Sequence, residues 1–420
     1  MTRVLHLITG LGLGGAEHQL VLLARHLPVR CEVATLTGPA TLAGELRELG
    51  VPVHDLGMAH NRDLKVLPRL VSLMRRGRYD AIHTHLYRAC LYGRVAARAA
   101  GVRRIIATEH SLGDGHLEGR SITWPVRAMY RASERLGSAT VAVSPTVERR
   151  LRDWGIPARR LVTIPNGLDP AAFAFDPVAR GRVREALGIG PADFVVGTVG
   201  RLVRTKRVDV LIEAVERVPG ARLLIVGDGP DAPRLHGLAS ASGDRVVFAG
   251  ARQDVAAHLS AMDAFASPSA QETFGLSVLE ALANGLPTLY TTCPAVEDLA
   301  GRPGGGPGEP PVRRLPGTAE AYAAALRELA ERSATAPSTM APSTTAPSTM
   351  APSTTAPSTM APSTTAPSAM APSTMERPVP ARPCAAAARA YAIDELVARL
   401  VALYQADHPG PMTTSEEAHP

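Results

Sequence analysis

The sequence predicts an α/β protein built on two doubly wound parallel sheets, and three observations carry that reading. Apolar strand-like runs alternate with helix-like stretches from the first residues onward, the order that builds parallel sheets flanked by helices. The alternation lapses once, in PNGLDPAAFAFDP between Pro165 and Pro177, and then restarts. The 420 residues, 45% hydrophobic and 20% charged, suffice for more than one core.

The first series opens with the strand RVLHLIT, a glycine loop, and AEHQLVLLARHL with apolar residues at helical spacing. CEVATLT and LAGELRELG give the next strand and helix. DAIHTH, the alanine-rich ACLYGRVAARAAG, RRIIATEH, WPVRAMYRASERLG, SATVAVS and RRLVTIPNG continue the pattern. The second series runs DFVVGTVG, VDVLIEAVERV, ARLLIVGDG, RVVFAG, VAAHLSAM, AFASP, FGLSVLEALANG and PTLYT. We therefore expect one domain over residues 1–168 and a second over 169–335. Residues 336–375 are eight pentapeptides, largely alternating APSTM and APSTT, without a charged or aromatic residue. Proline at every fifth position excludes a continuous helix and no bulky apolar group offsets chain entropy, so a disordered insertion is expected there. After it, residues 385–405 read as one amphipathic helix with Tyr391, Ile393, Leu396, Val397, Leu400, Val401 and Leu403 mostly on one side. That helix is expected to brace the first domain.

Several function classes fall away on composition. No apolar run approaches the ~20 uninterrupted residues of a membrane-spanning helix. MTRVLHLITGLGLGG lacks the apolar core and cleavage site of a signal peptide, so a cytoplasmic location is expected. Cys31, Cys90, Cys293 and Cys384 form no pair at metal-ligand spacing, which argues against a zinc site or a disulfide framework. Charge is uneven. Residues 1–166 hold 24 Lys+Arg against 13 Asp+Glu, and the remainder 21 against 26. A basic first half suits nucleotides, phospholipid headgroups or an acidic acceptor, and equally a plain solvated arginine surface. No nucleic-acid partner is expected. Only Lys65 and Lys206 are lysine, against 43 arginines.

Three stretches carry chemistry. Gly10-Leu-Gly12-Leu-Gly14-Gly15 lies between a strand and a helix, where backbone amides and the helix dipole receive phosphate. A nicotinamide site also expects an acid at the end of the second strand, and that strand ends Leu36-Thr37-Gly38. A dehydrogenase is thus disfavoured, and a glycine turn serving only tight packing stays open. Arg201 and Lys206 follow the strand DFVVGTV, at the strand end where ligands of open sheets bind. Two such cations fit a diphosphate, and a lysine in so arginine-rich a chain points to a need for a compact ammonium; a surface pair before a helix is the plainer reading. Finally, in SPSAQETFGLSVLEALANG, Glu272 precedes a helix and Glu280 lies within it, seven residues between them. The amides of Thr273, Phe274, Gly275 and Leu276 with Glu272 suit a polyhydroxylated ligand and Glu280 a diol such as ribose, although Glu272 could simply cap the helix.

The GGAE loop, IPNGLD, GRLVRTKRVDVLIEA, LLIVGDGP and ETFGLSVLEALANGLP together resemble the family 4 glycosyltransferases, retaining enzymes of GT-B fold that use nucleotide-sugar donors. The resemblance runs over nearly the whole chain outside the repeat. It implies two Rossmann-like domains facing across a cleft, donor on the second and acceptor on the first. It also implies that Arg201 and Lys206 hold the donor diphosphate, that Glu272 and the amides of residues 273–276 hold sugar hydroxyls, that Glu280 binds the ribose, and that Gly14 and Gly15 approach the diphosphate. His110 matches a histidine at the sugar's reacting face, while His85 and Tyr87 would lie on the acceptor side. The nucleotide sugar is a co-substrate, a hydroxyl compound the acceptor, and no metal or other cofactor is implied, there being no Asp-x-Asp element. Contact with an anionic membrane is a further expectation. Cys293-Pro294 departs from the family's pattern of a small-residue, glycine-containing loop. A nucleotide-sugar epimerase and a silent sugar-nucleotide binding module remain as other classes, separated by whether product forms only with an acceptor and by whether any donor is turned over.

The repeat has its own test. Replacing residues 336–375 by a short Gly/Ser linker should leave melting temperature and donor turnover nearly unchanged, because loop closure costs only ~(3/2)RT ln n.

Overall fold

A computed structural model describes residues 2–38, 40–113, 115–117, 120–299, 309–335 and 382–406. The APST repeat lies outside them. The first half supplies β1 (Arg3–Ile8), β2 (Arg30–Thr35), β3 (Val53–Asp55), β4 (Ala81–His85), β5 (Arg104–Glu109), β6 (His116–Leu117), β7 (Arg120–Ser121), β8 (Ala139–Ala142) and β9 (Leu161–Thr163). Seven of these form a sheet in the order β3-β2-β1-β4-β5-β8-β9, parallel throughout, and β6 and β7 pair antiparallel beside it. The second half supplies β10 (Phe194–Val199), β11 (Ala221–Val226), β12 (Val246–Gly250), β13 (Ala264–Ser267), β14 (Thr288–Tyr290) and β15 (Val312–Arg314), a parallel sheet ordered β12-β11-β10-β13-β14-β15.

Each sheet reverses its winding once. β1 lies between β2 and β4, and β10 between β11 and β13, so each has a crevice beyond the carboxyl ends of these strands where neighbouring loops part in opposite directions. The strand interiors are apolar because helices cover both faces: Val4, Leu5, Leu7 and Ile8 of β1 and Leu223, Leu224 and Ile225 of β11 are fully buried. Among the buried polar residues of the strands are three histidines, His6 on β1 with His83 and His85 on β4.

The stretch read as one helix over 385–405 is two, Ala386–Arg389 and Ile393–Gln405. Between them the backbone pairs like a strand with Leu168, whose N–H donates to the Tyr391 carbonyl at 2.7 Å and whose carbonyl accepts from the Ile393 N–H at 2.9 Å. A continuous helix would have spent both groups internally. The first helix packs in the second half, where the Ala385 N–H donates to the Leu282 carbonyl. The second lays Leu396, Leu400 and Tyr404 on Val4, Ile106, Val141 and Ile164 of the first half, and the Arg399 guanidinium donates to the Thr163 carbonyl. Where the chain re-enters at Arg382, its guanidinium donates to the Met262 carbonyl at 2.7 Å and lies 4.3 Å over the Phe175 ring.

Candidate active site in the interdomain cleft

The loops after β1, β4, β5, β10 and β13 converge where the two sheets' carboxyl ends face each other. Thr273 joins the halves: its hydroxyl donates to the His110 carbonyl at 2.7 Å, and its own carbonyl accepts from the Ser144 hydroxyl at 2.7 Å. Ser144 also caps the helix Pro145–Asp153 by accepting from the Val147 N–H, so one side chain starts a helix and holds the opposing loop. Across the same gap, a Cβ on Gly15 would stand 3.2 Å from Leu276 Cδ1. The glycine loop thus touches the start of the helix Leu276–Ala283, an approach that a larger residue would crowd.

On the second half, the Lys206 Nζ lies 2.5 Å from Glu272 Oε1. Lys206 ends a single 3-10 turn after β10, and Glu272 lies in the loop after β13; because β10 and β13 are neighbours, residues 66 apart meet. Arg201 stands exposed just past β10 and makes no ion pair among the described residues. The amides of Thr273, Phe274, Gly275 and Leu276 donate to no acceptor among the described residues, as expected of a helix start. The Phe274 side chain itself is buried against Tyr391. Gly275 has φ +105, and a Cβ there would lie 2.4 Å from Cys293 Sγ. Cys293 therefore fills the floor beneath the loop, its thiol pushed up by burial, which gives the unusual Cys293-Pro294 a packing role. Glu280, partly exposed on that helix, is enclosed closely enough that desolvation raises its carboxyl to about 7 against the pull of Lys206.

On the first half, Gly14 caps the helix Gly15–His26. His110 follows β5 directly, and its ring Nε2 lies 3.2 Å from His85 Nδ1. His85 is 1% exposed, so it meets His110 rather than open space. Tyr87 begins the next helix, its hydroxyl donating to the Val126 carbonyl and its ring stacked near Tyr130. Leu86 between them has φ +72, strained for a branched side chain, and this sharp turn separates a buried histidine from a tyrosine at the helix start. Burial lowers His110 to about 4, with the adjacent Asn166 side chain opposing, and lowers His85 well below its ordinary value. Both rings are neutral at pH 7. Sequence reasoning missed His6, Ser144 and Asn166. A histidine within the apolar strand RVLHLIT was the available signal for the first, a serine before a proline at a helix start for the second, and the stretch IPNGLD for the third.

The fold and this cleft define a class of two-domain enzymes with paired Rossmann-like sheets, and comparison with known proteins narrows it. Residues 13–172 match the profile of Glycosyltransferase Family 4 and residues 193–332 that of Glycosyl transferases group 1. A GDP-mannose-dependent alpha-mannosyltransferase of Mycobacterium tuberculosis is 31% identical over 301 residues, covering 68% of this chain and 77% of that protein. The UDP-Gal:alpha-D-GlcNAc-diphosphoundecaprenol alpha-1,3-galactosyltransferase of Escherichia coli is 28% identical over 268 residues, 61% of this chain and 69% of the relative. For the GDP-mannose-dependent alpha-(1-6)-phosphatidylinositol monomannoside mannosyltransferase of Mycolicibacterium smegmatis, 36% identical over 221 residues, the match spans half of this chain and 55% of the relative. Among solved structures, HepE of Anabaena in complex with UDP-glucose superposes with a TM-score of 0.67 at 24% identity, over 80% of this chain and 91% of that one, and so shares the fold. The chain belongs to glycosyltransferase family 4 and has the GT-B fold.

Replacing Gly275 by Ala should lower the melting temperature and weaken nucleotide binding together, since the side chain meets both a positive φ and the Cys293 sulfur. Thermal denaturation and calorimetry with a nucleoside diphosphate measure the two effects.

Proposed function

We propose that this glycosyltransferase moves a hexosyl group from a nucleoside-diphosphate sugar to a hydroxyl acceptor with retention at the anomeric carbon and without a metal ion. The observation that carries the proposal is the Lys206–Glu272 pair, set beside exposed Arg201 and a row of amides without an acceptor among the described residues. A donor diphosphate would draw Lys206 from Glu272 and join it to Arg201, and Glu272, released, would accept from sugar hydroxyls alongside the amides of residues 273–276. Glu280 would take the ribose hydroxyls, Gly14 and Gly15 would let the diphosphate lie close to the backbone, and His110 would face the sugar from the other half. In the step itself the bond from the anomeric carbon to the diphosphate oxygen breaks while the acceptor oxygen bonds on the same face. The acceptor proton passes to the departing diphosphate, whose growing charge Arg201 and Lys206 stabilise. Two cations supply that stabilisation without a metal.

The relatives' names include lipid-linked acceptors, and the first half supports a similar acceptor here. Arg62, Lys65, Arg69, Arg75, Arg76 and Arg78 are exposed on and around the helix Val66–Gly77 and make no ion pair among the described residues, with Leu64 66% exposed among them. Such a surface suits peripheral docking on anionic lipid. No helix among the described residues is long and apolar enough to cross a membrane.

Lys206→Ala and Arg201→Ala should each lower kcat on the order of 10²–10³-fold with intact folding; near-normal turnover in both would overturn the donor assignment. Glu280 titrates from a raised value, so its carboxylate is present above about pH 7 and lost below it. Nucleotide affinity should fall as pH drops through that value, and Glu280→Gln should bind weakly with a flat profile. The same shift makes the unliganded fold less stable as pH rises through about 7, so Glu280→Gln should melt higher at pH 8. Cosedimentation with anionic vesicles at low salt is expected to be strong and salt-sensitive; its absence would favour a soluble small-molecule acceptor.

A further inference from the structure

Three helices lie side by side on one face of the first sheet: Val66–Gly77, Tyr87–Ala99 and Trp124–Glu134. Each runs back against the parallel strands it joins, so its start stands at the sheet's carboxyl edge, where the cleft opens, and its end at the far edge. Of the seven large apolar side chains exposed among the described residues, four stand on this layer. Trp124 is 79% exposed, Leu64 66% and Met129 52%, and Val95 is exposed on the middle helix. Single exposed apolar groups are ordinary on a protein surface. A nearly bare indole at a helix start, its N–H meeting no acceptor among the described residues, calls for a partner.

The surface around these groups is cationic. Arg62, Lys65, Arg69, Arg98, Arg131 and Arg135 are exposed without an ion pair among the described residues, and Asp80 is the one exposed acid among the described residues between 62 and 135. The helix Trp124–Glu134 shows the arrangement within one element: Trp124, Pro125 and Met129 are exposed in its first turns and Arg131 and Arg135 at its end, while Tyr130, Ser133 and Glu134 are buried. Leu64 stands likewise just before the helix Val66–Gly77, whose end carries exposed Arg75, Arg76 and Arg78. Cations at helix ends suit the helix dipole, but the dipole gives no reason for apolar groups at the starts. The charge is spread over three helices and not matched in pairs, and the apolar tips are separate, so the face fits a diffuse plane of phosphates better than the contiguous apolar patch of a protein partner.

We propose that Trp124 and Met129, together with Leu64, insert into the headgroup region of an anionic bilayer and seat the first domain with the mouth of its cleft at the membrane surface. The inference rests on the reading of a lipid-linked acceptor and of docking on anionic lipid, and it supplies their geometry. Basic side chains alone hold a protein near anionic lipid in no single orientation; apolar anchors at one edge select one. An indole suits that depth, since its ring lies among the upper acyl chains while its N–H meets a headgroup oxygen. Seated this way, an acceptor hydroxyl carried on a lipid enters the cleft directly from the bilayer and its anchor stays in place.

Trp124 reports its own surroundings, because the chain's other tryptophan, Trp154, is only 7% exposed. The difference in fluorescence between the full chain and its Trp124→Ser variant isolates the signal. With vesicles of phosphatidylglycerol and phosphatidylcholine at low salt, that emission should shift to the blue, and phosphatidylcholine brominated on its acyl chains should quench it. Trp124→Ser combined with Met129→Ser should still cosediment at low salt, with vesicle affinity lowered on the order of tenfold and release at lower salt than the parent chain. Cosedimentation with Trp124 unshifted and unquenched, or equal affinity in the double variant, would overturn the insertion and leave a purely electrostatic docking. Absence of cosedimentation in the parent chain would overturn the docking reading itself and the inference with it. A blue shift that grows with protein concentration in the absence of vesicles would assign this face to a second copy of the chain and overturn the proposal.

Discussion

The cleft depends on how Thr273 is held. Its hydroxyl donates to the His110 carbonyl and its carbonyl accepts from the Ser144 hydroxyl, so the peptide's carbonyl is taken by the first domain while its N–H and the next three have no partner among the described residues. A loop whose carbonyls are spoken for presents its donors. The same two bonds set the spacing between sheets and bring the glycine loop onto Leu276.

Around that contact the chain is tied twice more. Gln19, in the first helix, makes a two-way bond with the Gly167 backbone at 2.6 and 2.8 Å, fixing the segment that leaves the first domain. The strand-like pairing of Leu168 with Tyr391 and Ile393 fixes the segment that returns. Both passages meet at residues 167–168, where the side of Gly167 is closed by Ile393 and Leu396. Any hinge between the halves must work through these few residues, because the helix Ile393–Gln405 is packed on the first domain while Ala386–Arg389 is packed on the second.

Charge placement follows the same economy. Lys206 and Glu272 compensate each other at 2.5 Å, while burial raises the Glu280 carboxyl against the pull of Lys206. On the opposite wall His85 and His110 are imidazoles made neutral by burial, and the Arg150 guanidinium donates to the Leu112 carbonyl beside them.

Much of this was legible in the residues. Alternating apolar runs specified the parallel sheets, because a strand buried on both faces has to be apolar along its length. E-x7-E, the Arg-Lys spacing and the glycine loop marked the cleft because they fall at strand ends, where ligands of open sheets bind. The short polar strands escaped notice: β3 and β15 have three residues each, too few for a period, and form only because a neighbouring strand offers an edge. The break at residues 390–392 escaped too, since an amphipathic pattern records which side chains are buried and not which partner takes the backbone groups. Sequence by itself determined the layers, the domain pair and the chemical types at the site. Only the tertiary structure decided that His6, His85 and His110 touch, that Ser144 holds Thr273 and that Cys293 lies beneath Gly275, because these contacts join residues from 18 to 129 positions apart through packing that no local pattern encodes.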